Sequence, residues 1–308
     1  MRDWAAPVLV LVLAAIPLAA PGDTVLNFLT GALIVALAAQ GWNLLGGYGG
    51  QLSFGHAAFY GTGAYVTAVL QQRYGVNAWL GAALGVGAGT LVGTVIGALT
   101  FRAGLRGSYF ALVTLAFAEV LRILANAAPV TGGAAGLLVR LDVRPANFQF
   151  ASRAAFFYVA LGAVAAALLL TRAVGRSRFG AQLAAVRENE EAARALGIDT
   201  FAAKLRAMAL SAGVTAPAGV LYVQYYLYVD AGLAYGTGAS VSALLAPVVG
   251  GIGTVAGPLV GALALQGLGE LTRLAAGPVA GVDQVLFGLL LVAVIAFMPG
   301  GLVGRRRA

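Results

Sequence analysis

Few residues in this chain could do chemistry, and their spacing limits what they could do. Glu119 and Arg122 lie three apart inside an apolar run, so on a helix they share a face and can pair. An ionisable residue within a membrane span is a functional candidate by default; a neutralised pair holding two helices together is the alternative. His56 is the single histidine. It could face a polar pathway with Gln51 and Ser53, or simply pack at the end of a helix. One histidine and no cysteine leave no His-rich or Cys-ligated metal site, no disulfide and no thiolate chemistry. Lys204 is the only lysine, and no G-x-x-x-x-G-K-[ST] loop surrounds it, so the chain has no phosphate-cradling loop for ATP. With no cluster of catalytic groups, an enzyme is excluded. Energy for any work must come from another subunit or from a gradient. A gradient-driven secondary transporter would show ion-coupling residues near the midplane, and Glu119 with Arg122 are too few for a proton relay.

The elements that hold these residues follow from composition. Hydrophobic residues make up 60% of the 308 and charged residues 10%, with mean hydropathy +0.90. Soluble domains carry about 25% charged residues, so this is an all-α, multi-pass integral membrane protein. The net charge of +8 sits in short loops and at the C-terminus, as membrane topology requires, and does not indicate nucleic acid. Apolar runs near the required length of about 20 residues place spans at Ala5–Ala20, Thr24–Leu45, Ser53–Leu70, Val76–Phe101, Ser108–Ala127, Ala155–Thr171, Leu205–Val229, Ala239–Gly253, Val255–Ala275 and Val282–Met298. The count is about ten (eight to ten). The eighth is short and contains Pro247, which predicts a broken or tilted helix. The first run also resembles a signal peptide, but Asp3 and Pro21 favour an uncleaved span.

The stretch 172–206 interrupts these spans with seven of the nineteen basic residues and four of the eleven acids. A basic loop between spans stays in the cytoplasm. Four spans separate it from Arg305–Arg307, so the C-terminus lies inside, and so does the N-terminus. That topology puts thirteen Lys/Arg inside and five outside, with Arg122 within a span. Phe179, Leu183, Val186, Ala193 and Leu196 recur at spacings of three, four or seven, predicting one amphipathic helix ended by Gly197. Such a helix could lie on lipid headgroups or dock into a partner. Gly81, Gly85, Gly89, Gly93 and Gly97 form a bare stripe that lets another helix approach. Glycine clusters at 46–50 and 250–253 mark either unwound backbone at membrane depth or plain loops. Gln224, Tyr225 and Tyr226 read as an aromatic belt rather than a contact for a binding protein.

Glu191-Ala192-Ala193, three residues, then Gly197 resembles the EAA loop of ABC-importer permeases. Leu44–Leu70, Gly107–Asn126, Thr131–Leu137, Ser177–Ile198, Gly250–Ala262 and Phe297–Gly304 are similar to the branched-chain amino-acid permeases of the LivM/LivH type, and to the LivM type in particular. SALLAPVV before Gly250 departs from the family's more regular run. The resemblance implies one transmembrane permease domain over 1–308 with a cytoplasmic coupling loop at 172–206, in a bacterial or archaeal plasma (inner) membrane. It implies that Arg187, Glu191, Ala192, Ala193 and Gly197 contact the ATPase. Implied partners are a second, LivH-like permease, two ATP-binding subunits of the LivG/LivF kind that hold ATP and Mg, and an extracytoplasmic binding protein. The chain itself would bind no cofactor or metal. The implied cargo is leucine, isoleucine and valine, with urea or short amides as the alternative within the same class.

Overall fold

A computed structural model describes residues 5–19, 22–276, 281–282, 285–286, 288–289, 292–293 and 300–303. Most of the tenth expected span, the Arg305–Arg307 tail and the possible cleavage region at 20–21 lie outside the described residues. Among the described residues the chain is almost entirely helical. The helices are α1 (Ala5–Ala15), α2 (Asp23–Trp42), α3 (His56–Tyr74), α4 (Ala78–Arg102), α5 (Gly107–Ala127), α6 (Arg153–Arg176), α7 (Arg178–Glu188), α8 (Glu190–Ala195), α9 (Thr200–Tyr226), α10 (Ala231–Tyr235), α11 (Thr237–Gly250) and α12 (Gly257–Ala276). One antiparallel contact, β1 (Leu137–Leu138) with β2 (Tyr228–Val229), ties the loop after α5 to the end of α9.

Six of these segments have the length and apolarity to cross a membrane: Asp23–Tyr48, Ala78–Arg102, Gly107–Ala127, Arg153–Arg176, Thr200–Tyr226 and Ala231–Gly250. That is fewer than the ten read from hydropathy. Helix α1 is short even with its 3-10 extension to Ala19. Helix α3 has the length, but Thr62, Thr67, Gln71, Gln72 and Arg73 dilute its apolar run. It is nevertheless central, with Ala57, Ala58, Phe59 and Ala64 fully buried. The eighth expected span is not broken: α11 runs without interruption from Thr237 to Gly250 with Pro247 inside it. The break lies ahead of that span, where Gly236 in extended backbone separates α10 from α11. The turn at 251–256 separates α11 from α12, so the eighth and ninth runs are distinct helices.

The core is built around α9, which packs against α2, α3 and α4. Helix α4 meets α3 and α9 through the glycine stripe. A Cβ on Gly85 would lie 2.5 Å from the Thr67 hydroxyl, one on Gly93 2.3 Å from the Ala212 Cβ, and one on Gly97 2.8 Å from the Met208 Cγ. At Gly81 the nearest atom is 3.5 Å away, so the contact loosens toward that end. Gly89 is the midpoint, its added Cβ falling 2.6 Å from the Ala216 Cβ and 3.0 Å from the Phe59 carbonyl. Between helices in lipid, such close approach supplies much of the association. Gly89→Leu should therefore cost about 1–3 kcal/mol or more through overpacking, read as lower membrane yield and a lower unfolding midpoint in detergent. Wild-type values for both would show that the α4 stripe is not a packing seam.

Candidate functional site

The charged insert folds as two helices instead of the single helix expected over 178–197. Ser177 caps α7 by accepting from the Gly180 amide at 3.1 Å. Asn189 then leaves helical geometry (φ −157°, ψ 107°) and caps α8, accepting from the Glu191 and Ala192 amides at 3.0 Å. Asparagine favours this capping position, and the break rotates α8 relative to α7. Leu183, Val186 and Ala193 stay buried, but Leu196 is 83% exposed and leaves the apolar stripe. Gly197 (φ +86°) closes α8. Its amide donates to the Arg194 carbonyl and the Ile198 amide to the Ala193 carbonyl, the paired bonds of a left-handed helix ending.

The five residues expected to meet an ATPase divide accordingly. Glu191, Ala192 and Gly197 are exposed. Ala193 is 2% exposed and points into the chain's own core, so it is not offered to a partner. Arg187 is engaged within the chain. It donates to the Gly47 carbonyl at 3.0 Å and pairs with Glu188, and its side-chain stem fills the space where Gly50 lacks a Cβ.

Glu190 holds the insert to the bundle. Its carboxylate lies 2.8 Å from Lys204 Nζ, 3.2 Å from Arg194 and 3.3 Å from Arg106. The Glu190 side chain is 11% exposed and that of Lys204 4%, and the ammonium also sits 5.1 Å over the Phe101 ring. Burial pushes the Glu190 carboxyl up, but Lys204 and Arg106 outweigh it and hold it below its ordinary value.

Behind Arg187 the two glycine clusters meet. Asn43–Tyr48 is a π-helical extension of α2, so the first part of the 46–50 cluster is widened helix, and Gly49 and Gly50 leave it in a turn. The buried Asn43 side chain donates to the Thr254 carbonyl at 2.9 Å and accepts from the Gly253 amide at 2.8 Å. A Cβ on Gly47 would lie 2.8 Å from that same amide.

The expected pathway residues do not converge. His56 is fully buried, its Nε2 2.8 Å from the Ser211 hydroxyl and its ring 5.3 Å from Phe59. The Ser53 carbonyl accepts from the Trp42 indole at 2.8 Å, and Gln51 donates to the Gly49 carbonyl. Glu119 and Arg122 pair with each other at 2.5 and 2.8 Å on the outer side of α5, their side chains 44% and 33% exposed. The belt reading also changes. Gln224 is buried against Gln71, Tyr225 packs on Phe156 at 4.9 Å, and Tyr226 lines cavities.

One cavity of about 280 Å³ is formed where α2, α3, α9, α10, α11 and α12 meet. Tyr60, Tyr222 and Tyr226 line it in a row, with ring centroids 5.8 and 4.8 Å apart. Gly31, Ile34, Val35 and Ala38 form an aliphatic wall, and Ser242 and Gln266 face it from α11 and α12. Of these side chains only Tyr226 carried a signal in the sequence, as part of the expected aromatic belt.

Six segments able to cross a membrane and a charged insert braced against them give the chain the build of a multi-pass transport protein. The family described as branched-chain amino acid transport system / permease component matches residues 24–295, and the chain belongs to that family; it is a transport permease and not an enzyme. It is similar to the high-affinity branched-chain amino acid transport system permease protein LivM of Escherichia coli, 30% identical over 300 residues covering 89% of this chain and 69% of the relative. It is also similar to LivH of Salmonella typhimurium (27% over 284 residues, 88% and 91%) and BraD of Pseudomonas aeruginosa (26% over 295 residues, 91% and 94%). No solved structure matches.

Proposed function

We propose that this chain is a permease subunit of an ABC importer that carries leucine, isoleucine and valine across a bacterial or archaeal plasma membrane. It forms half of the pathway with a homologous second permease, above two ATPase subunits, and takes cargo from an extracytoplasmic binding protein. About ten spans place both termini and the 172–206 insert in the cytoplasm. The observation that carries this reading is the α8 turn, which is held by Glu190 and presents Glu191, Ala192, Leu196 and Gly197 outward. An exposed leucine beside small residues on a rigid turn suits a cleft on a partner better than a headgroup layer. Closure of the ATPase dimer would push α8, and the spans would rock in alternating access. The relatives named as branched-chain amino acid permeases support the cargo.

The test is ATPase pull-down and leucine uptake at matched membrane levels. Leu196→Asp leaves the fold untouched and should weaken ATPase association about tenfold, the effect of losing one interface anchor. Gly197→Val is strained at φ +86° and should misplace the same turn. Normal pull-down and uptake for both would sink the coupling role of α8.

A further inference from the structure

The tyrosine cavity supplies more polar groups than the protein itself satisfies. Tyr60, Tyr222, Tyr226, Ser242 and Gln266 all line it, and none of their side chains makes a hydrogen bond among the described residues. Tyr60 is only 8% exposed, so its hydroxyl has little but the cavity to address. A polar group without a partner inside a membrane domain is costly, and several converging on one space imply a polar occupant.

The cavity also receives a helix N-terminus. Helix α11 starts inside the bundle: the Ala57 amide of α3 donates to the Ser240 hydroxyl at 2.8 Å, and Tyr235, just ahead of the break, stacks on Tyr65. Gly236 permits the break because a Cβ there would collide with the Gly232 carbonyl. It offers no side-chain cap, and the Thr237 and Gly238 amides of this 14-residue helix are left without partners. Gly238 lines the cavity, and nothing lies within 4 Å of its Cβ position. Free amides and the helix dipole favour an anionic group at that end.

We infer that this cavity is a transient binding site for a zwitterionic, aliphatic amino acid on its way through the permease. The α-carboxylate sits at the first turn of α11, the ammonium is accepted by tyrosine hydroxyl and Gln266 oxygens, and the side chain lies against Ile34, Val35 and Ala38. Among the described residues no acidic or basic side chain lines the cavity, which selects a ligand of zero net charge. Tyr226 also borders a second cavity of about 580 Å³ at the opposite end from the charged insert, lined in part by Asn27, Arg153 and Gln224. It therefore stands between that vestibule and the binding space. This assignment rests on the permease reading and deepens it.

Two substitutions test it in the complete importer, with uptake of leucine and valine measured at matched membrane levels and matched ATPase co-purification. Gly238→Asp places a carboxylate where the ligand's would sit, at a first-turn position that suits the helix; Gly238→Asn is its neutral counterpart. The aspartate should lower leucine uptake about tenfold relative to the asparagine. Gly31→Val extends from a Cβ position 3.5 Å from the Tyr226 hydroxyl and 3.8 Å from the Gln266 amide nitrogen, and narrows the cavity where its polar and aliphatic walls meet. It should lower leucine uptake about tenfold relative to valine, the scale of one lost methylene. Equal uptake by Gly238→Asp and Gly238→Asn would mean that water or a lipid chain fills the cavity, and would overturn the assignment. An unchanged leucine-to-valine ratio in Gly31→Val would overturn it too. A wild-type importer that couples ATP hydrolysis yet carries neither amino acid would instead overturn the proposed cargo, and the site with it.

Discussion

Replacing Glu190 with alanine should lower the thermal midpoint of the detergent-solubilised protein more than any other change in the insert, and should abolish coupling to the ATPase. Lys204, with a side chain only 4% exposed, would keep its charge and lose its carboxylate. Breaking one side of a buried pair costs about 3–5 kcal/mol, because the remaining charge is uncompensated. Arg106 and Arg194 would lose the same partner, loosening the hold of α8 on both the α4–α5 loop and α9. A double change, Glu190→Leu with Lys204→Met, separates the two consequences. It removes both charges, so most of the midpoint should return. Uptake should return only in part, since Arg106 keeps just its longer 3.8 Å contact with Glu191 and Arg194 its bond to the Thr200 hydroxyl at 3.2 Å. An unchanged midpoint for Glu190→Ala would show that the cluster is solvated and carries no load. The pH dependence follows with a definite sign. A carboxyl held below its ordinary value stabilises fully above that value, and the contribution is lost as pH falls through the lowered one. The insert should thus stay braced through the neutral range and loosen only in acid.

What the sequence made legible was whatever depends on near neighbours. Apolar runs announced the helices, and the basic stretch announced the insert, because both signals lie within a single segment. The α4 glycines announced a packing face, but not that α3 and α9 share it. The break at Asn189 had a local signal, an asparagine ahead of Glu190-Glu191. The seven-residue gap from Val186 to Ala193 concealed it, since that gap keeps phase across an uninterrupted helix. Leu196 was misplaced for the same reason. The Glu190 cluster could not be read, because Arg106, Glu190 and Lys204 come together only when the α4–α5 loop, α8 and α9 pack. The tyrosine cavity was still less visible. Tyr60, Tyr226, Ser242 and Gln266 sit on four different helices, and only Tyr226 stands out within its own, as a belt residue. His56, the most conspicuous side chain in the composition, turned out to be packed against Ser211 and Phe59.

The second large effect belongs to Asn43, which joins the widened end of α2 to the turn between α11 and α12. Its side chain is fully buried and serves two backbone groups at once, the Gly253 amide and the Thr254 carbonyl. Asn43→Leu keeps similar bulk but deserts both groups, and each buried orphan costs about 1–3 kcal/mol. Gln40 provides the internal comparison. It reaches the next residue of the same turn, the Val255 carbonyl, through a single longer contact of 3.3 Å, so Gln40→Leu should cost about 1 kcal/mol or less. The expected order is therefore a large drop in the unfolding midpoint for Asn43→Leu and a small one for Gln40→Leu. Uptake should follow the same order more steeply, because the Gly47 backbone beside this turn also accepts Arg187 from the insert. A turn released from α2 would leave motion of α7 with nothing on α11 and α12 to act upon. Equal midpoints for the two variants would show that Asn43 merely fills space, and that the insert reaches those helices by another route.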